Sequence, residues 1–263
     1  MLPGGLVRDG ERRRDLRFKR VSGRLELAIW ECGEAASSLP HQVSLALAAA
    51  LDRVGDAPAD LDSVRELCVA DRQFAMHRLA ERLGLGQVWR TSTCAACGTP
   101  FDFPLDLGAL PVKEPGAGYP FAEVAATPGR LRFRVPNGTD QEAIAALPPA
   151  EAVRTLVKRC QVEGPDVPAG AFTAEDLRAI EASLEEVSPG VVTQVEARCP
   201  SCGAGQRVSV EPYLSLKAGA TLVSEVHALA SAYHWSEREI LSLPRKRRHK
   251  YLSLVDRARG LAS

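Results

Sequence analysis

The sequence predicts an α+β fold in which a zinc-ribbon-like centre of four cysteines is split by a large α/β insertion and flanked by helices. Three observations lead there. The motif C-x-x-C-G occurs twice, at Cys94-Ala95-Ala96-Cys97-Gly98 and Cys199-Pro200-Ser201-Cys202-Gly203, each time followed by a few polar residues and an alternating strand. The 101 residues between Cys97 and Cys199 show strand and helix periodicities of their own. Residues 39 to 83 and the last fifty residues repeat apolar side chains at helical spacing.

Taken in order, residues 16 to 30 read as a β-hairpin: Leu16 and Phe18, then Leu25, Leu27 and Ile29, alternate about the turn Ser22-Gly23. Residues 39 to 54 read as an amphipathic helix with Ser38 as N-cap, Pro40 in the first turn and Val43, Leu47, Leu51 and Val54 on one face. Gly55 to Asp60 is a turn, and a second helical stretch runs from about Asp62 to Leu83 before Gly84. Phe101 to Leu105 is a strand, and Gly108 to Gly129, rich in proline and glycine, is a long loop. Leu131, Phe133 and Val135 alternate with arginines as a strand with one buried face. Thr139 with Glu142 suggests a capping box; Val153, Val157 and Cys160 mark a helix; Thr173 caps another that carries Leu177, Ile180, Leu184 and Val187. Arg207 to Glu211 is a short strand. Leu222, Val226, Leu229 and Tyr233 recur on one helix face, Ser236 with Glu239 forms a capping box, and Pro244 opens a final helix bearing Tyr251, Leu254 and Val255.

The cysteine spacing has a chemical reason. Two intervening residues let both thiolates of a C-x-x-C turn reach one metal, and the glycine that follows accepts the positive φ of the turn. Two such knuckles supply the four sulfurs of a closed tetrahedron, so Cys94, Cys97, Cys199 and Cys202 are the candidate ligands of a structural Zn²⁺. Redox pairs, merely buried cysteines and iron–sulfur ligation are the alternatives for the same residues. Compact ribbons place their knuckles about 15 to 20 residues apart, so residues 104 to 197 read as an insertion. The domain reading is therefore a basic flexible arm over 1–15, an N-terminal hairpin and helices over 16–93, the split ribbon over 94–211 and a helical segment over 212–263. Cys68 and Cys160 lie on apolar helix faces as small buried hydrophobes, and Cys32 has no sequence partner.

Composition narrows the function. The chain has 263 residues, 45% of them hydrophobic and 25% charged, as expected of a folded protein. Its longest apolar run, Leu45 to Leu51, is far short of the roughly 20 residues of a membrane span. No secretory signal is visible, which places the expected compartment in the cytoplasm, and an odd number of cysteines, seven, argues against a disulfide framework. The formal charge is zero, yet residues 8 to 24 hold eight Arg or Lys against three acids, and residues 238 to 259 hold eight against two. Both ends are basic and the middle is acidic, a statement about partners rather than fold. The run Arg245 to Lys250 can meet phosphates, but no aromatic residue interleaves it for base stacking. A zinc-ribbon nucleic-acid-binding protein is the competing reading, and an uncharacterised thiol enzyme a weaker third. No phosphate-binding loop, nucleophile elbow or H-E-x-x-H motif is present, and His227 and His234, seven apart, form no catalytic pattern, so no enzyme is expected.

A set of motifs in a fixed order completes the reading. Ser63-Val64-Arg65-Glu66-Leu67 with Asp71-Arg72, the first knuckle with Phe101-Asp102-Phe103, Leu131 to Pro136, and Leu156 to Val162 precede the second knuckle. Then come Glu225 to Ala230, Tyr233-His234-Trp235-Ser236-Glu237, Ile240 to Pro244, Arg247-Arg248 and Tyr251-Leu252. Over most of residues 17 to 256 this order resembles bacterial proteins encoded beside contractile phage-tail-like injection machines, a family related to the T-even phage baseplate-hub assembly chaperones. The chain departs from that pattern at His234, where relatives often have glycine, and in the polar strand after the second knuckle. The resemblance implies a non-enzymatic baseplate component or assembly factor whose partners are baseplate, hub, spike or tape-measure proteins. Trp235, Arg245, Arg247, Arg248 and Tyr251 are the candidate partner-binding residues, with Trp235 as either interface anchor or core tryptophan.

Overall fold

The computed structural model describes residues 1–127, 129–166, 168–217 and 219–260. In chain order it runs β1 (Leu6–Arg8), β2 (Glu11–Arg13), β3 (Leu16–Phe18), α1 (Gly23–Ala35), α2 (Leu39–Ala50), β4 (Leu51–Val54), β5 (Ala57–Pro58), α3 (Leu61–Glu66) and α4 (Val69–Arg82). Next come β6 (Gln87–Thr93), β7 (Pro100–Asp106), β8 (Val112–Lys113), β9 (Phe121–Ala126), β10 (Gly129–Arg134), α5 (Gly138–Ile144), α6 (Pro149–Cys160) and β11 (Gln161–Glu163). The chain closes with α7 (Ala174–Val187), β12 (Gly190–Val191), β13 (Gln194–Arg198), β14 (Gly205–Ser209), α8 (Leu222–Tyr233), α9 (Glu237–Ser242) and α10 (Arg245–Ala258). The fold is α+β, and its residues divide into two compact units.

The first unit comprises Met1–Arg17, Ala36–Ala75 and Pro111–Val191. Its main sheet is antiparallel, ordered β11-β10-β9, and one face carries α6 and α7. Val124, Leu131 and Phe133 from the sheet meet Val157 and Cys160 of α6 and Ile180 of α7, because alternate strand residues share a face and helix residues three or four apart share a stripe. A polar network holds α2, α3 and α5 together. The buried Arg72 guanidinium donates to Ser44 Oγ at 2.9 Å, to the carbonyls of Val64 and Pro40 at 3.1 and 2.8 Å, and to Gln141 Oε1 at 3.1 Å, while Arg65 grips Glu142 with both its Nε and Nη2. Such bonds let an arginine be buried at all, since its charge would otherwise be stranded.

The second unit comprises Phe18–Ala35, Met76–Leu110 and Val192–Ser263. It contains two antiparallel ribbons, β6–β7 and β13–β14, over an apolar layer of Ala80, Leu105, Leu107 and Val210. The helices α1, α8 and α10 converge on a buried charge cluster. Arg248, fully buried, donates to Glu26 Oε2 at 2.7 Å, to Glu225 Oε2 at 3.0 Å and to the Leu243 carbonyl at 2.9 Å.

Several local expectations give way to tertiary pairing. Residues 23–35 are helix rather than the second strand of a hairpin: Leu25 and Ile29 fit either spacing, but Glu26 is fully buried against Arg248, a contact 222 residues distant along the chain. The helix expected over 39–54 stops at Ala50, and Leu51–Val54 turns back through Gly55, φ +59°, to pair with β5. The stretch expected as one helix over 62–83 breaks at Leu67 and Cys68, where the Val69 amide donates to the Pro136 carbonyl and the Gly138 amide to Leu67. Within the expected loop 108–129, Phe121–Ala126 forms β9 in full register with β10. The cap of α5 is Asn137 with Asp140, not Thr139 with Glu142, whose carboxylate is taken by Arg65 and Ser44. The strand expected at 207–211 sits two residues earlier, at Gly205–Ser209.

Residues 1–15 are not an arm. Leu2 is fully buried, β1 and β2 pair, and the Asp71 carboxylate accepts the Gly4 and Gly5 amides, both at 2.7 Å. Burial pushes the Asp71 carboxyl above the usual range, against the pull of those two amides. Ser38, Thr173 and Ser236 cap their helices as read from the sequence. His234 closes α8 at φ +56°, a conformation that glycine adopts at least cost.

Candidate metal centre

Each knuckle is the turn of a hairpin. Cys94 to Cys97 join β6 to β7, and Cys199 to Cys202 join β13 to β14. The two turns repeat one hydrogen-bond pattern. The Cys94 amide donates to Thr99 O at 3.0 Å and the Gly98 amide to Cys94 O at 2.9 Å; the Cys199 amide donates to Ala204 O and the Gly203 amide to Cys199 O, both at 2.9 Å. Gly98 and Gly203 take φ of +72° and +75°, the left-handed backbone that the motif's glycine was read to supply.

The consequence is that four sulfurs remote in sequence lie within 4.8 Å of one another. Cys94 Sγ is 3.6 Å from Cys202 Sγ, and Cys97 Sγ is 3.8 Å from Cys199 Sγ. These separations are far longer than the roughly 2.05 Å of a disulfide. The four residues can therefore hold one metal ion between them. Cys94 and Cys199 are buried, Cys97 and Cys202 exposed, so the centre sits at the edge of an apolar layer made by Phe101, Ala197, Phe103, Ala204 and Val208.

The local electrostatics favour the thiolate at Cys97 and Cys199 and oppose it at Cys202. The Thr99 hydroxyl, with the Thr99 amide, draws the Cys97 thiol down to about 6, and the amides of Cys202 and Ser201 lower that of Cys199 despite some desolvation. At Cys202 the Ala204 amide also pulls downward, but the sulfurs of Cys97 and Cys94 outweigh it and push the thiol up to about 12. Four mutually close thiols cannot all ionise unaided, which is the condition a bound cation relieves.

A residue that sequence reading missed braces the centre. Gln206 on β14 accepts the Ala95 amide at 2.8 Å and donates to Ser92 Oγ at 2.9 Å and to Thr93 O at 3.1 Å. It ties the second ribbon to the first knuckle. Its only sequence signal is a polar residue four positions after the last cysteine, which does not distinguish it from its neighbours.

Cys68 and Cys160 are buried as read, but only Cys160, at the end of α6, lies on a helix; Cys68 sits in the break between α3 and α4, bridged to Asn137, and burial raises both thiols, Cys160 to about 12. The half-buried Cys32 thiol donates to the Ala28 carbonyl at 3.0 Å. The candidate partner residues separate. Trp235 is half-buried, stacked on Tyr233 with ring centroids 4.9 Å apart and edge-on to Tyr251 at 4.9 Å. Arg247 is exposed, Arg245 lies 3.6 Å from Glu26, and Arg248 is not a surface residue at all: its whole donor set is turned inward to Glu26, Glu225 and Leu243.

Set against models of known families, curated proteins and solved structures, the chain matches none. Among the described residues, no helix is long and apolar enough to cross a membrane.

Proposed function

We propose that the chain is a non-enzymatic, zinc-stapled component or assembly chaperone of the baseplate or hub of a phage-tail-like contractile injection system, acting in the cytoplasm. The sulfur geometry supports the zinc staple. A zinc ion with four Zn–S bonds of about 2.3 Å has sulfur–sulfur edges of about 3.8 Å, against the 3.6 and 3.8 Å found here. Four thiolates fill that shell and leave no position for water or substrate, so the metal's work is to hold the β6–β7 and β13–β14 turns together. The baseplate assignment rests on the ordered motifs of residues 63 to 252, and Glu225 and Arg248 within them serve packing in this chain.

Two measurements test the two halves separately. Elemental analysis of the purified chain is expected to find one zinc per molecule, lost in Cys97→Ser, and a strong chelator is expected to lower the melting temperature. A metal-free chain with unchanged stability would remove the staple. Affinity purification from cells expressing the neighbouring genes is expected to recover hub, spike, tape-measure, sheath or tube proteins; their complete absence would remove the baseplate assignment. Salt-sensitive retention of duplex or single-stranded nucleic acid instead would favour the competing reading, which the burial of Arg248 deprives of one cation.

A further inference from the structure

The first unit carries a groove that neither the cysteine centre nor the baseplate reading uses. It has a volume of about 470 Å³ and runs between α6 and α7, walled by Val153, Leu156 and Val157 on one side and Leu177, Ile180 and Leu184 on the other. The walls follow from sequence spacing: Val153, Leu156 and Val157 stand at i, i+3 and i+4, and Leu177, Ile180 and Leu184 at i, i+3 and i+7. Val157 and Ile180 turn inward to the sheet, whereas Val153 stays 46% exposed at the lip. A large apolar side chain held at the mouth of an apolar cavity is the kind of surface that marks a binding site rather than a solvated face.

The charges at the lip select the occupant. Arg178, Glu181 and Glu185 line the α7 side and are exposed, and no side-chain hydrogen bond or ion pair engages them among the described residues. The nearby Lys113 is engaged elsewhere, its amine donating to the main-chain carbonyls of Glu185 and Glu186. No charged residue lines the α6 side. Two carboxylates one helical turn apart, beside an apolar trough, complement a helix whose apolar stripe is flanked by basic residues at the same spacing.

We propose that this groove docks an amphipathic helix of a partner protein, with its apolar stripe seated between α6 and α7 and its Lys or Arg side chains set against Glu181 and Glu185. The site lies wholly within the first unit, and the metal centre within the second.

The test uses the full-length chain. A phage-displayed library of random peptides of about 16 residues, long enough for about four helical turns, is selected on the immobilised protein, and the selected peptides are measured free by fluorescence anisotropy. The expected peptides carry apolar residues at i, i+3 or i+4 and i+7 with a net positive charge. Val153→Asp is expected to weaken them by about tenfold or more, and the double change Glu181→Lys, Glu185→Lys by about fivefold. Val223→Asp, an exposed apolar position on α8 in the second unit, should leave binding unchanged, which separates groove binding from general apolar stickiness. All the substituted positions are exposed, and circular dichroism checks that each variant is folded. No selected peptide, peptides without basic residues, or binding indifferent to Val153→Asp would overturn the proposal. So would a dimer in sedimentation that Val153→Asp dissociates, since a second copy would then be the occupant.

Discussion

Replacing Arg248 by methionine removes a guanidinium that satisfies three acceptors while keeping much of the volume of its stem. Glu26 is fully buried and Glu225 nearly so, and Glu26 Oε1 already lacks a hydrogen-bond partner. Without Arg248 two carboxylates face each other's field in a low-dielectric interior. Breaking a buried ion pair from one side costs about 3 to 5 kcal/mol. At about 2 to 4 °C per kcal/mol for a chain of this size, the melting temperature of the purified protein should fall by roughly 6 to 20 °C. The neighbour Arg247 is exposed, and Arg247→Ala should cost no more than about 0.5 kcal/mol. Differential scanning fluorimetry of the two variants side by side reads the contrast directly. If Arg248→Met is too unstable to purify, the triple change Arg248→Met, Glu26→Gln, Glu225→Gln should restore a folded protein, because the two buried carboxylates are then removed together with their guanidinium. Equal melting temperatures for Arg248→Met and Arg247→Ala would refute the buried cluster, as would a triple variant no better than the single one.

Other consequences can be checked as directly. Gln206→Ala leaves all four thiols but releases the first knuckle from β14, so metal affinity measured by chelator competition should drop about tenfold or more. Asp71→Ala strands the Gly4 and Gly5 amides; stability should fall by about 1 to 3 kcal/mol, and limited proteolysis should cut within residues 1–15 at protease levels that spare the parent chain. Asp176, which accepts the amides of Thr127 and Thr173, titrates at about 2 instead of 3.8. Because the folded value lies below the unfolded one, its contribution is complete above about pH 4 and is lost as pH falls toward 2. The stability advantage of the parent over Asp176→Ala in urea should shrink over that interval; an advantage constant from pH 6 to 2 would contradict the assignment.

Parts of this molecule are legible in one dimension because their causes are local. A C-x-x-C-G turn needs only five residues to form, and both turns adopt the same bonds and the same positive φ at Gly98 and Gly203. Ser38, Thr173 and Ser236 cap helices because a side-chain oxygen and an amide three residues on are neighbours in any chain that starts to coil. The strand at Leu131 and Phe133 shows its alternation because one face packs and the other meets water.

The elements misread from the sequence have distant causes. Leu25 and Ile29 fit a strand or a helix equally, and the decision belongs to Glu26 reaching Arg248 across 222 positions. The proline- and glycine-rich stretch hid β9 because its partner, β10, supplies the ladder that six short residues cannot sustain alone. Arg248, read as part of a surface run, is turned inward by Glu26 and Glu225, partners that no local window of sequence contains. The sequence alone thus determined the four candidate ligands and the turns that present them, since those depend on contacts within a few residues. Only the tertiary structure decided that the four sulfurs meet, that Gln206 braces them and that the groove between α6 and α7 stays open at its lip. Each of those requires segments far apart in the chain to share one place, and burial energy rather than local propensity chooses that place.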